Sequence, residues 1–239
     1  MATREEILGK IRNAQTQNPQ SPPLPEPPAV WPVEGGTPDE LLERFEKSLA
    51  AVAGETVRCT DRACAAEKIA ETLKSIEPNR GINNTEKKFR WGVHSGELTE
   101  SLADTVLPRL EGVDAVLVKA PADPADAKPA ELESISASLI PAELLLADTG
   151  SAVVRSTSVF DRLMNYLPPV CLIAAKKSQL REHLPHAWPE LLARIGSDGE
   201  KTGEFLLITG PSRTADIEKI LVLGVHGPRK VVVYLIENE

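Results

Sequence analysis

Three short segments concentrate the residue types that chemistry requires. The first, "ADTGS" at Ala147–Ser151, holds a carboxylate, two hydroxyls and a glycine. Gly150 permits positive φ or a close backbone approach. Thr149 and Ser151 offer hydroxyls, and Asp148 is suited to be acid, base or orienting group for a polar or anionic substrate. Read locally, the same residues are a turn in which Asp148 bonds nearby backbone. The second segment, "TGPSRTADIE", starts at Thr209, where Gly210 and Pro211 end an apolar run. Thr214 reads as a helix N-cap, and free N–H groups at such a helix start attract anions. Ser212 and Thr214 add hydroxyls, and Arg213 adds a guanidinium fork for carboxylate or phosphate. Asp216 and Glu218 in the expected first turn complement the helix dipole and repel phosphate. That leaves a mixed polar site, with Asp216 holding a hydroxyl or a backbone loop, against simple capping. The third segment, "GVHGP" at Gly224–Pro228, places His226 next to Gly227. An imidazole there is a proton carrier, an oxyanion donor or a turn residue.

The remaining candidates are poorer. His94 stands alone, and His183 and His186 have no acidic or cysteine partner expected beside them, so no metal site is assigned. Cys59, Cys64 and Cys171 are too few and too irregular for a disulfide framework or an iron–sulfur motif. They read as small buried hydrophobes. A net charge of −8 excludes general nucleic-acid binding and disfavours anionic membranes, but it leaves room for a local basic pocket. No apolar run reaches membrane-spanning length, and the first ten residues lack a signal layout. The expectation is a cytoplasmic chain with no membrane insertion.

Elements must position these segments. "TREEILGKIRNAQ" reads as a short helix capped by Thr3 and Glu6, within an amino-terminal unit of residues 1–15. Residues 16–37 form a proline-rich linker: eight of the 20 prolines fall between Pro19 and Pro38, and proline fixes φ and removes donors. The main domain, 38–239, opens with "TPDELLERFEKSLAAVAG". There Thr37, Pro38 and Glu40 make a capping box with proline at the first helical position, and Gly54 is the expected stop. Leu41, Leu42, Phe45, Leu49 and Val52 form its buried stripe. Apolar runs at "ETVRCT", "KFRWGV", "DAVLVKA", "SISASLI", "ELLLADTGSAVV", "PPVCLIAA", "FLLITG" and "KVVVYLIE" read as strands, "DAVLVKA" as a buried one. Between them "DRACAAEKIAETLKSI", "ELTESLADTVLPRL", "LPHAWPELLARI" and "SRTADIEKIL" read as helices, and "DRLMNYL" as helix or loop. Continuous apolar runs alternating with helices predict an α/β fold: a mostly parallel sheet with helices on both faces. "SISASLI" and "ELLLADTGSAVV" are expected to pair antiparallel within it. Sites in such sheets gather at strand carboxyl ends, and the three segments are expected there.

At these residues the sequence resembles a known family. "ITGPSRTADIEKILVLGVHGP" is similar to the carboxyl-terminal signature of the LUD domain of the lactate-utilisation protein C (LutC/YkgG) family. "LLLADTGSAVV" resembles that family's central signature, usually written with "AETGT". The resemblance covers about Leu41 to Glu239. Asp148 stands where the family usually has Glu, and Ser151 where it usually has Thr; both keep the functional group and alter its reach. The resemblance implies a NagB/RpiA/CoA-transferase-like fold. It also implies a role in oxidising L-lactate to pyruvate beside two iron–sulfur partner proteins, which would supply the redox centres that this chain's cysteines cannot. A small carboxylate or other anion would then sit among Asp148, Thr149, Gly150, Ser151, Gly210, Ser212, Arg213, Thr214, Asp216, His226 and Gly227. Arg213 would hold the anion, and Asp148 and His226 would handle protons. The alternative is a free-standing isomerase or transferase acting on a phosphorylated or CoA-linked substrate.

Overall fold

The computed structural model describes residues 3–17, 35–78, 88–121, 132–194, 203–215, 221–224 and 226–239. It divides into two units, Met1–Glu34 and Gly35–Glu239. The first contains helix α1 (Arg4–Gln17). Its amino end carries a reciprocal cap: the Thr3 N–H donates to Glu6 Oε2 at 2.8 Å, and the Glu6 N–H to Thr3 Oγ1 at 3.3 Å. Residues 18–34, most of the proline-rich linker, lie outside the described residues.

The second unit begins with helix α2 (Pro38–Ala51), started by Thr37 and Glu40 in the expected capping box. Leu42, Phe45 and Leu49 of its stripe are buried. Its stop differs from expectation. Ala53, not Gly54, takes the left-handed conformation, at φ 66°. Gly54 is needed for space instead, because a Cβ there would lie 2.3 Å from Leu49 Cδ1.

Six strands form one wholly parallel sheet: β1 (Glu55–Cys59), β2 (Phe89–Val93), β3 (Ala115–Val118), β4 (Ile135–Pro141), β7 (Val170–Lys176) and β12 (Lys230–Ile236). Their order is β1-β12-β7-β4-β2-β3. Side chains alternate across a strand, and both faces are covered, so the central strands are largely apolar on both faces, with Ser136 and Ser138 of β4 buried among them. Along β7, Val170, Leu172 and Ala174 enter one core, and Cys171, Ile173 and Ala175 the other. The first core is closed by helices α3 (Arg62–Lys74) and α4 (Glu97–Val106). The second is closed by α2 and by helix α5 (Val159–Tyr166), which settles "DRLMNYL" as helical. "DAVLVKA" is an edge strand rather than a buried one, so three of the four residues of β3 are only half-buried.

A second sheet lies against the α2 face, in the order β8 (Leu180–Arg181), β5 (Leu144–Leu146), β6 (Ser151–Ser156), β9 (Glu204–Ile208). Leu145, Ala152 and Val154 point into the second main core. Leu144, Leu146 and Val153 point away and are covered by helix α6 (Leu184–Ala193). This corrects the expected pairing. "SISASLI" stays in the parallel sheet, while the two halves of "ELLLADTGSAVV" pair with each other, Leu146 opposite Ser151. The "DTG" turn reverses the chain before it can add a strand to the main sheet.

The expected helix "SRTADIEKIL" is also replaced. Arg213–Ala215 is strand β10, paired antiparallel with β11 (Leu221–Leu223). The ribbon is pinned at its base: Ser212 accepts from the Gly224 N–H and donates its own N–H to Pro228 O, both at 2.8 Å. Thr214 therefore sits inside a strand and is no N-cap. Residues 216–220 lie outside the described residues.

Candidate functional site

The "ADTGS" turn is built by β5 and β6 and locked from two sides. The Ala147 and Asp148 N–H groups donate to the carbonyls of Arg181 and Glu182, at 2.9 and 3.0 Å, extending the β5–β8 ladder. On the other side Ser48 Oγ donates to the Asp148 carbonyl at 3.1 Å. Gly150, at φ 65°, lies so close to α2 that a Cβ would stand 2.2 Å from the Leu49 nitrogen. Glycine is needed here for both conformation and space.

This packing lines up hydroxyls. Ser151 Oγ donates to Thr149 Oγ1 at 2.8 Å, and Thr149 Oγ1 donates to Asp148 Oδ1 at 3.2 Å. Thr209 Oγ1 stands 2.7 Å from Ser151 Oγ. The Ser151 proton is already engaged, so Thr209 is the donor in that pair. The result is a directed chain, Thr209 to Ser151 to Thr149 to the Asp148 carboxylate, in which each hydrogen bond polarises the next. Ser151 is buried, Asp148 half-buried and Thr149 exposed. Thr209 carries a role that sequence reasoning did not assign. Its only signal was a hydroxyl between a strand end and a glycine.

Gly210, at φ 82°, turns the chain against the same helix end, where a Cβ would lie 2.9 Å from Val52 O. Two residues later Ser212 meets the "GVHGP" segment, close enough that a Cβ on Gly227 would lie 3.0 Å from Ser212 Cβ. Thr209 to Ser212 spans at most roughly 11 Å of extended chain. The segments are thus linked pairwise, the first to the second at Ser151–Thr209 and the second to the third at Ser212–Gly227. In the third segment, His226 and Gly227 line a cleft of about 480 Å³ with Gly224, Arg229, Tyr166, Leu167 and Pro169. His226 and Arg229 are both exposed, and among the described residues no carboxylate lines the cleft. The Arg229 stem lies over Gly224, whose added Cβ would fall 2.0 Å from Arg229 Cγ. An imidazole and a guanidinium together on one wall suit an anion. Asp148 and Arg213 do not line this cleft, and Asp216 lies outside the described residues. Arg213 and Thr214 lie on the β10–β11 ribbon beside it, with Arg213 exposed.

The segments are not at the carboxyl ends of the main sheet. The Arg229 N–H donates to Pro169 O at 2.8 Å, just before β12 and β7 begin, so "GVHGP" sits at their amino ends. The other two segments follow β5 and β9, which belong to the second sheet. Sequence reasoning assigned one rule to strands of two different sheets.

Glu182, His183 and His186 bring three possible metal-ligating atoms within 4.8 Å of one another, so the histidine pair does have an acidic partner. Those groups already have structural employment. The Glu182 carboxylate accepts the Gly35 N–H at 3.0 Å and lies 3.5 Å from Arg44 and 3.6 Å from His186. His183 caps α6. Cys59 and Cys171 belong to the cores on opposite faces of the main sheet, and burial pushes both thiols up to about 12.

Comparison with known proteins places this architecture. The LUD domain model matches residues 42–236. The chain is 34% identical over 108 residues to Lactate utilization protein C of Bacillus pumilus, 45% of each chain. It is 34% identical over 109 residues to YkgG of Escherichia coli, covering 45% of this chain and 47% of that one. These alignments span under half of those relatives' length. With Lactate utilization protein C of Macrococcus caseolyticus the alignment is longer, 26% identity over 231 residues, 95% of this chain and 93% of the relative. Among solved structures, a DUF162 family protein from Deinococcus radiodurans superposes with a TM-score of 0.55 at 17% identity, covering 84% of this chain and 99% of that one. That likeness is one of fold.

Proposed function

The chain belongs to the LUD domain family, and from that premise we propose that it serves lactate utilisation. It would be a cytoplasmic component of an L-lactate-oxidising system, acting beside iron–sulfur partner proteins. The observation that carries the ligand part is the His226–Arg229 cleft, which brings an imidazole and a guanidinium together on an acidic protein. In this reading Arg229 and His226 hold a small carboxylate. Arg229 thus takes the anion-holding role first expected of Arg213. The Thr209–Ser151–Thr149–Asp148 chain organises the neighbouring wall, with Asp148 as its proton acceptor. The name shared by the relatives supports the lactate assignment. Cys59 and Cys64 pack on one face of the main sheet and Cys171 on the other. No helix among the described residues is long and apolar enough to cross a membrane.

The test is reconstitution of lactate-dependent electron transfer with the iron–sulfur partners, with and without this chain. Thermal shifts with L-lactate, pyruvate, sugar phosphates and CoA are measured in parallel. Lactate or pyruvate should raise Tm, and Arg229→Met with His226→Ala should abolish the shift while leaving the ligand-free Tm unchanged. Partners that reduce acceptor equally well alone would sink the proposal. Stabilisation by CoA or sugar phosphates instead of lactate would favour a free-standing transferase or isomerase.

A further inference from the structure

A different region of the molecule has the marks of a second site. β2 connects outward to β3, whereas β4 connects the other way, to β7, and β2 and β4 are neighbours. Connections that diverge in this way leave a crevice above the strand carboxyl ends. A cleft of about 300 Å³ opens there, with His94 after β2, Pro141 at the end of β4 and Lys176 at the end of β7. Arg155, Thr157 and Gln179 line it together with Ser95 and two carboxylates, Glu97 and Glu143, which are held in ion pairs by Arg62 and Arg194, and Lys176 Nζ lies 3.0 Å from Glu239.

Behind its lining residues His94 and Thr157 lies an incompletely matched polar cluster. His94 is 4% exposed and Asp161 1%, with Nε2 and Oδ1 3.6 Å apart. His94 Nδ1 lies 3.0 Å from the Ser95 carbonyl, which can only accept, so Nδ1 carries a proton and Nε2 faces the carboxylate. Thr157 Oγ1 donates to Asp161 Oδ2 at 3.2 Å, and Asn165 Nδ2 to Ser156 Oγ at 2.8 Å. This leaves His94 Nε2, Asp161 Oδ1, Asn165 Oδ1 and Arg155 Nε buried without a hydrogen-bond partner among the described residues. Each such atom is costly to leave unmatched once it is removed from water. A group of them beneath one cleft therefore calls for a complement.

We propose that this crevice is a second ligand site, distinct from the His226 cleft, and that it takes a small anion bearing at least one hydroxyl. Arg155 and Lys176 meet the anionic group. The His94–Asp161 pair, with Asn165 behind it, receives the hydroxyl. The assignment uses none of the motif residues, so it stands or falls apart from the lactate reading.

Four probes of similar length separate the requirements: glycerate, glycerol 3-phosphate, propionate and glycerol. The chain has four histidines, so the imidazole C–H resonances can be followed by NMR, with His94 assigned from His94→Gln. Glycerate or glycerol 3-phosphate should move the His94 signals and leave those of His226 in place. Which of the two does so tells whether the anion is carboxylate or phosphate. Asp161→Asn and Lys176→Met should each weaken binding at least about tenfold, as expected for lost charge-assisted hydrogen bonds. Lys176 is a rim residue whose loss spares the core, so its result stands even where Asp161→Asn misfolds. If propionate binds as well as glycerate, the hydroxyl requirement is wrong. If glycerol does, the anion requirement is wrong. No movement of His94 with any probe at 10 mM or so, well above ordinary substrate KM values, overturns the site.

Discussion

Replacing Gly150 with alanine should be among the most damaging small changes in this protein, and its size can be worked from geometry. At φ 65° the backbone is left-handed, which costs a non-glycine residue about 1–2 kcal/mol. Reduced freedom of the unfolded chain returns about 0.4–1 kcal/mol of that. The new Cβ would also stand 2.2 Å from Leu49 N and 2.7 Å from Leu49 Cα. These are helix backbone atoms, which cannot rotate aside, so overpacking belongs at the upper end of about 1–3 kcal/mol. The sum is roughly 3–4 kcal/mol, or a Tm lowered by about 10 °C for a domain of this size. Gly112 is the internal control. It has φ 84° and nothing within 4 Å of an added Cβ, so Gly112→Ala should cost only about 1 kcal/mol, some 2–4 °C. Urea melts and scanning calorimetry of both variants decide the matter. Equal losses at the two sites would mean that α2 yields to the turn, and that the packing which orders Asp148, Thr149 and Ser151 is not rigid.

Two further outcomes concern buried titratable groups. Burial pushes the Tyr234 phenol up to about 12, and its hydroxyl donates to Thr72 Oγ1 at 2.6 Å. With the folded value raised, its contribution is intact below the ordinary phenol range near 10 and fades as pH climbs towards 12, because the unfolded chain ionises first. Urea titrations should therefore show wild type losing on the order of 2 kcal/mol more than Tyr234→Phe between pH 9 and 12; parallel curves would count against it. Thiol labelling at pH 8 should modify Cys64 first, because it is the one cysteine that is not buried, while Cys59 and Cys171 are protected by burial that also holds their thiols protonated. Rapid modification of all three in the folded protein would contradict the packing of both cores.

Elements with a local cause were legible. The α2 start was readable because the caps lie within three residues of the atoms they serve, and β7 and β12 because unbroken apolar runs of that length demand two covered faces. "ADTGS" was legible as a turn and as polar, but not as part of a directed hydroxyl chain. That chain needs Thr209, 58 residues beyond Ser151 in sequence. The strands at Arg213–Ala215 and Leu221–Leu223 were misread because Thr214 followed by acidic residues matches a helix start. The described arms are held in strand by pairing with each other, and Ser212 at their base bonds Gly224 and Pro228, which no local pattern displays.

The sequence by itself determined the α/β class, the polar segments and, through its resemblance, the family, since composition, periodicity and motif identity are all properties of neighbouring residues. Only the tertiary structure decided which sheet each strand joined, and with that the end of the molecule each segment occupies. Pairing partners are set by which apolar faces can be buried together across the whole chain. That global competition carried "GVHGP" to the amino ends of β7 and β12. It also left His94, Asp161 and Arg155, which no motif marks, at the carboxyl-end crevice.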